Sequence, residues 1–174
     1  MTYTLDVWYH HDTNRSKPEP VRTESELEAL LTYLLTHEQP HPAQIAGQGL
    51  PTIGRRNRPD RLFKLDVSHH APVGALLYMG PGPAVDMTEK APDFVLTDPA
   101  SERTTVVEVK SGAWVTRAAE PIEDAPALYI DKATGAEFPR DATLPISLVL
   151  QALLEFQETG QRPTCVDWQQ TAIV

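Results

Sequence analysis

Residues 141–170, DATLPISLVLQALLEFQETGQRPTCVDWQQ, constrain the fold more tightly than any other stretch, because a start, a stop and a reversal are written into them. Pro145 suits a first helical turn, where its missing N–H leaves no bond unmade, and Gly160 suits the left-handed residue that ends a helix. Between them Ile146, Val149, Leu150, Leu153 and Leu154 recur at the three-and-four spacing of one helical face, with Phe156 at its edge. Pro163 then blocks continuation, and Thr164-Cys165-Val166-Asp167-Trp168 alternates like a half-buried strand. The stretch predicts a one-sided helix folding back onto a sheet, with Trp168 largely buried.

The rest of the chain supplies that sheet. Tyr3, Leu5, Val7 and Tyr9 alternate with Thr4, Asp6 and Trp8, which predicts a first strand inside the sheet with aromatic side chains on both faces. His10 to Pro20 reads as a turn or hairpin loop. Thr23 and Glu26 have the spacing of a capping box, and Leu27, Leu30, Leu31, Leu34 and Leu35 form an apolar stripe, so a helix is expected to about His37. Residues 39–61 are rich in proline, glycine and arginine, with Ile45, Leu50 and Ile53 as the sizeable apolar anchors, and read as a long ordered loop or insertion. Leu62–Ser68 and Val73–Met79 read as an antiparallel pair around His69-His70-Ala71-Pro72. Gly80-Pro81-Gly82-Pro83 is expected to end regular structure, and an acidic loop follows at Asp86 to Glu89. Phe94–Leu96, Thr104–Val109 and Trp114–Thr116 suggest a meander, with a further strand near Ala127–Ile130. Strand, helix, several strands, helix, strand is the order of an α+β fold: a single, mostly antiparallel sheet with two amphipathic helices packed on one face.

Length bounds the domain count. A chain of 174 residues buries roughly 70% of its unfolded surface in one core, so residues 1–174 are expected to form a single domain. The single cysteine, Cys165, rules out an internal disulfide framework and reads as a small core hydrophobe. The N-terminal residues MTYTLDVWYHH have neither a basic region nor an apolar signal core, and no apolar run reaches spanning length, so a cytoplasmic location is expected. Charge is regional. Residues 1–61 hold 8 acids and 7 bases, a net of −1, whereas residues 62–174 hold 16 acids and 8 bases, a net of −8. Such a surface repels nucleic acid and attracts basic partners, although acidity also serves solubility.

Few residues assemble a catalytic pattern. Pro92-Asp93, followed after 14 residues by Glu108-Val109-Lys110, matches the PD-(D/E)xK arrangement of restriction-like nucleases. There Asp93 and Glu108 would hold Mg²⁺ through oxygen ligands, and Lys110, on the same strand face as Glu108, would position water. The same run is equally a partly exposed strand with a cross-strand ion pair, and residues 86–141 carry 12 acids against 6 bases, a poor setting for a polyanion. Arg55, Arg56, Arg58 and Arg61 lack interleaved aromatics and read as solvated or internally paired rather than phosphate-binding. Adjacent histidines at 10–11 and 69–70 point apart on a strand, and Pro40 interrupts a His37/His41 pair, so no metal set is expected. Neither Gly80-Pro81-Gly82-Pro83 nor Lys110-Ser111-Gly112 has the context of a phosphate loop or a nucleophile elbow.

Leu5-Asp6-Val7-Trp8-Tyr9, Glu155-Phe156, Thr159-Gly160 and Arg162-Pro163-Thr164-Cys165-Val166-Asp167-Trp168-Gln169 together resemble the type 1 immunity proteins of bacterial polymorphic toxin systems. The likeness is close at both chain ends and looser between them. It implies a small α+β protein that neutralises a secreted toxin, often a nucleic-acid deaminase, by binding it, an inhibitor and not an enzyme; with the motif and charge readings above, no catalytic residues, cofactor, nucleic-acid ligand or membrane partner are expected. The matching tryptophan, proline and glycine positions read as scaffold. An inhibitor of this kind can present carboxylates to a basic groove, so the expected toxin contacts are Asp86 and Glu89 beside Met87, then Glu120, Glu123 and Asp124, with Asp131 and Glu137 on later turns. Each is also an ordinary solvated acid, since interface energy concentrates in few residues.

Overall fold

A computed structural model describes residues 2–10, 17–82 and 111–171, together with the backbone of 95–97 and 106–108. The elements run β1 (Leu5–Trp8), β2 (Glu19–Val21), α1 (Glu24–Thr36), β3 (Ala43–Gly47), β4 (Thr52–Ile53), β5 (Arg58–Pro59), β6 (Leu62–Val67) and β7 (Val73–Pro81). After these come β8 (Val95–Thr97), β9 (Val106–Glu108), β10 (Ser111–Arg117), β11 (Tyr129–Asp131), β12 (Ala136–Glu137), β13 (Leu144–Pro145), α2 (Ile146–Thr159) and β14 (Asp167–Thr171). The main sheet is ordered β14-β10-β7-β6-β3-β1-β2, with β13 added beside β7, and its pairings are antiparallel. This is the α+β arrangement expected, with β1 inside the sheet and β6–β7 as its central hairpin.

Both helices start and stop where their local chemistry says. The Thr23 hydroxyl accepts the Glu26 N–H at 3.1 Å, and the Glu26 carboxylate accepts the Arg22 N–H at 2.7 Å. Pro145 immediately precedes α2, and Gly160 ends it at φ +67°, where a Cβ would also meet Leu50 and Tyr3 below 3.0 Å. Leu27, Leu30, Leu31 and Leu34 of α1 and Val149, Ala152, Leu153 and Phe156 of α2 share one core with Leu5, Val7, Ile45, Phe63, Leu65 and Tyr78 of the sheet. Phe156 sits at the centre of the α2 face rather than its edge, fully buried with its ring 4.7 Å from Phe63, while Ile146, Leu150 and Leu154 are only partly covered.

Other expectations are corrected. Residues 39–61 are not one long loop: Ala43–Gly47 is a sheet strand between β1 and β6, and β4–β5 form a small hairpin beyond it. Gly80-Pro81 does not end β7, because Gly80 pairs with Gly112 and Pro81 with Ser111; a Cβ at Gly80 would lie 2.7 Å from Arg61 Cβ, so the strand continues only because that residue is glycine. The C-terminal strand begins at Asp167 rather than Thr164, which leaves Cys165 exposed and Trp168 half-buried. The expected meander divides: β8 and β9 pair with each other in a separate sheet, whereas β10 runs between β7 and β14. The strand foreseen near 127–130 is β11, paired with β12 in a hairpin outside the main sheet.

The opposite sheet face is covered differently. Ala75 and Leu77 of β7 and Ala113 and Val115 of β10 pack under Leu128, Phe138 and Ala142, which belong to the segment between β10 and β13. That cover reaches across β7 and β10. Over β3 and β1, among the described residues, it gives way to an open surface.

Candidate functional site

The C-terminal motif folds into a brace. Glu155 accepts hydrogen bonds from the Thr164 N–H at 2.8 Å, the Thr164 hydroxyl at 2.6 Å and the Cys165 N–H at 2.9 Å. Burial opposes ionisation of Glu155, but these bonds together outweigh it and hold the carboxyl below its ordinary value. The Trp168 indole N–H donates to the Pro163 carbonyl at 2.8 Å, and the Arg162 guanidinium lies 5.0 Å from the Trp114 ring and 5.6 Å from the Trp168 ring. Arg61 closes the brace from the other side, forked onto Asp60 at 2.6 and 2.8 Å and donating to the Gly160 carbonyl at 2.8 Å. Burial, reinforced by the hydrogen bond and charge of Glu155, pushes the Cys165 thiol up to about 11, so this exposed cysteine is a poor nucleophile.

The acidic cover carries five of the expected contact residues. Glu120, Glu123 and Asp124 are exposed on the loop after β10, with Asp124 at φ +54°. Asp131 lies on β11, and the Ala133 N–H, 2.9 Å from its carboxylate, holds it below the ordinary range. Glu137 is exposed on β12, opposite Tyr129 in the hairpin register. Asp86, Met87 and Glu89 lie outside the described residues. So do Asp93 and Lys110 of the nuclease pattern; Glu108 ends β9, opposite Val95, and its backbone alone is described.

A buried carboxylate fastens the cover to the sheet. Asp66 on β6 is 4% exposed; it accepts the Tyr129 N–H at 2.7 Å and faces Lys132 at 3.9 Å. Burial raises its pKa in spite of both partners. Lys132 also donates to the Gln39 carbonyl at 2.6 Å, and the Gln39 side chain in turn accepts the His10 N–H at 2.8 Å and donates to the His10 carbonyl at 3.3 Å. One chain of contacts therefore runs from β6 through the acidic hairpin to the end of β1.

Beyond that chain lies a trough of about 720 Å³ on the open half of the second face. Its floor crosses three adjacent strands at Trp8, Gln44 and Leu62, each alternating with a neighbour that faces the helical core. One wall is Pro40-His41-Pro42, against His10, and the other is Arg58-Pro59 of the β4–β5 hairpin. Tyr9 completes the lining; burial pushes its phenol up to about 12, so it offers a neutral hydroxyl. Sequence reading did not single out this site, since β3 went unrecognised; the available signal was Trp8, a large apolar residue on the solvent phase of the first strand.

The histidines are dispersed. His37 stacks on Tyr33 at 3.9 Å, His69 and His70 are exposed at the β6–β7 turn, and among the described residues no three His, Cys, Asp or Glu side chains are grouped to hold a metal. Among the same residues no helix is long and apolar enough to cross a membrane.

The fold is thus an antiparallel sheet with an acidic cover, braced by the 155–168 motif. The chain belongs to the family of immunity protein Imm1, whose model matches residues 15–170. A search of curated proteins found no match.

Proposed function

We propose that this protein binds and neutralises one cognate toxin domain, a basic nucleic-acid-modifying enzyme and, by the family analogy, a deaminase. It acts as one domain spanning residues 1–174, in the cytoplasm, without cofactor or catalysis of its own. The observation that carries the reading is the gathering of Glu120, Glu123, Asp124, Asp131 and Glu137 on a single segment that covers part of the second sheet face, in a chain of the Imm1 family. Carboxylates displayed this way attract a positively charged nucleic-acid groove and speed encounter, while apolar contacts around them set the lifetime of the complex. Asp86, Met87 and Glu89 are proposed to extend the same surface.

Co-expression with the toxin encoded by the adjacent gene tests the reading. Protection of the cell and a complex at submicromolar concentration are expected, with association slowing as salt rises. Charge reversal at Glu123 and Asp124 should slow association and leave the melting temperature unchanged. Toxicity that persists beside abundant folded protein would end the assignment. Cleavage of DNA or RNA with Mg²⁺, lost in Asp93→Ala or Glu108→Ala with folding intact, would establish the nuclease chemistry instead.

A further inference from the structure

The trough over β1, β3 and β6 has a different chemistry from the cover beside it. Trp8 and Leu62 give the floor an apolar surface on either side of Gln44, and the ionisable side chains that line the trough among the described residues are Arg58, His10, His41 and the neutral Tyr9, with no carboxylate. In a chain of net charge −9 this is a local exception. The walls are also set in advance. Pro40, Pro42 and Pro59 have fixed φ, and the Gln39–His10 bonds and the Lys132 contact hold one wall against the acidic hairpin. A site that is already shaped loses little freedom when it is filled, and its volume of about 720 Å³ lies in the range of ligand clefts.

We propose that this trough receives an extended, acidic segment of the toxin, anchored by an apolar or aromatic side chain on Trp8 and Leu62 and paired through its carboxylates with Arg58 and His41. The proposal rests on the immunity reading above. Charge complementarity selects the occupant: a basic segment would be drawn to the neighbouring cover, and a second copy of this acidic chain would be repelled at long range. A nucleic-acid strand needs a row of cations along its backbone, and a single arginine does not provide one. Tryptophan, here in the floor, is among the residue types in which binding energy concentrates, and a rim arginine adds orientation and encounter rate.

The test uses the full chain labelled with 5-fluorotryptophan, with Trp8→Phe assigning the Trp8 resonance, and the catalytically inactivated toxin domain encoded by the adjacent gene as probe. The Trp8 signal should shift on complex formation, and R58E combined with H41E, both on the exposed rim, should weaken binding by at least about tenfold at an unchanged melting temperature. A complex of full affinity in the double variant, with the Trp8 signal unmoved, would overturn the docking site and leave the immunity reading standing. No complex with the wild-type chain would remove the immunity reading, and this proposal with it. A Trp8 shift produced by raising the concentration of this chain alone, or by a single-stranded oligonucleotide alone, would assign the trough to a second copy or to nucleic acid and overturn the proposal.

Discussion

Replacing Glu155 by Ala removes the acceptor shared by three donors, the Thr164 N–H, the Thr164 hydroxyl and the Cys165 N–H, and so opens the turn that leads into β14. A hydrogen bond to a charged group contributes about 1.5–3 kcal/mol when buried, but Glu155 is only half-buried and released donors here can reach water. The whole clamp is therefore expected to stabilise the fold by about 1–2 kcal/mol, a loss of roughly 2–8 °C in Tm for a chain of this size. The sign of its pH dependence follows from the lowered carboxyl pKa: the stabilisation is complete above the ordinary carboxylate value and disappears as pH falls through the folded-state value. Thermal melts of wild type, Glu155→Ala and Glu155→Gln from about pH 7 down to about pH 3 measure this directly. The wild-type advantage over Ala should hold through the upper range and shrink on acidification, with Gln intermediate because it keeps one acceptor. An Ala variant as stable as wild type near neutrality, or a deficit that ignores pH, would refute the clamp.

Three further outcomes are expected. Phe156→Ala empties the contact between α2 and Phe63 and should cost about 3–5 kcal/mol in chemical denaturation, with toxin neutralisation lost only in proportion to unfolding. Asp66 has a raised carboxyl pKa, so the folded state binds its proton more tightly than the unfolded state; stability should fall as pH rises from the ordinary carboxylate range through the raised value, and Asp66→Asn should flatten that slope in denaturant titrations. Cys165, with its thiol at about 11 against an ordinary 9.0, should hold about a hundredfold less thiolate near neutral pH and react correspondingly slowly with a thiol-specific disulfide reagent; Glu155→Gln should speed that reaction.

Much of the architecture was local and therefore legible. Thr23 with Glu26, and Pro145 with Gly160, mark helix ends by interactions spanning a few residues, and the β6–β7 hairpin announces itself by alternation. β3 was hidden because Ala43-Gln44-Ile45-Ala46 has one large apolar side chain; its burial comes from neighbours on β1 and β6, which no local pattern contains. The last strand was placed early for a similar reason. Thr164 and Cys165 alternate well, but their N–H groups are taken by Glu155 on another element and cannot enter a ladder. The acidic residues were readable as acids, whereas their gathering over one sheet face depends on how residues 118–142 fold across β7 and β10. The trough was least legible, since its floor exists only once three strands are in register.

The cover between β10 and β13 lies over the sheet without supplying a strand to its main ladder. Register in that ladder is fixed by β6, β7 and β10, so the cover can lengthen, shorten or exchange its charges provided that Leu128, Phe138 and the bond from Tyr129 to Asp66 persist. Descent with modification would then act on the two parts at different speeds. Sheet, helices and brace would drift slowly under the demands of packing, while on the proposed function the exposed positions of the cover would track a changing adversary, and a duplicated gene could acquire a new opponent through substitutions that leave the fold intact.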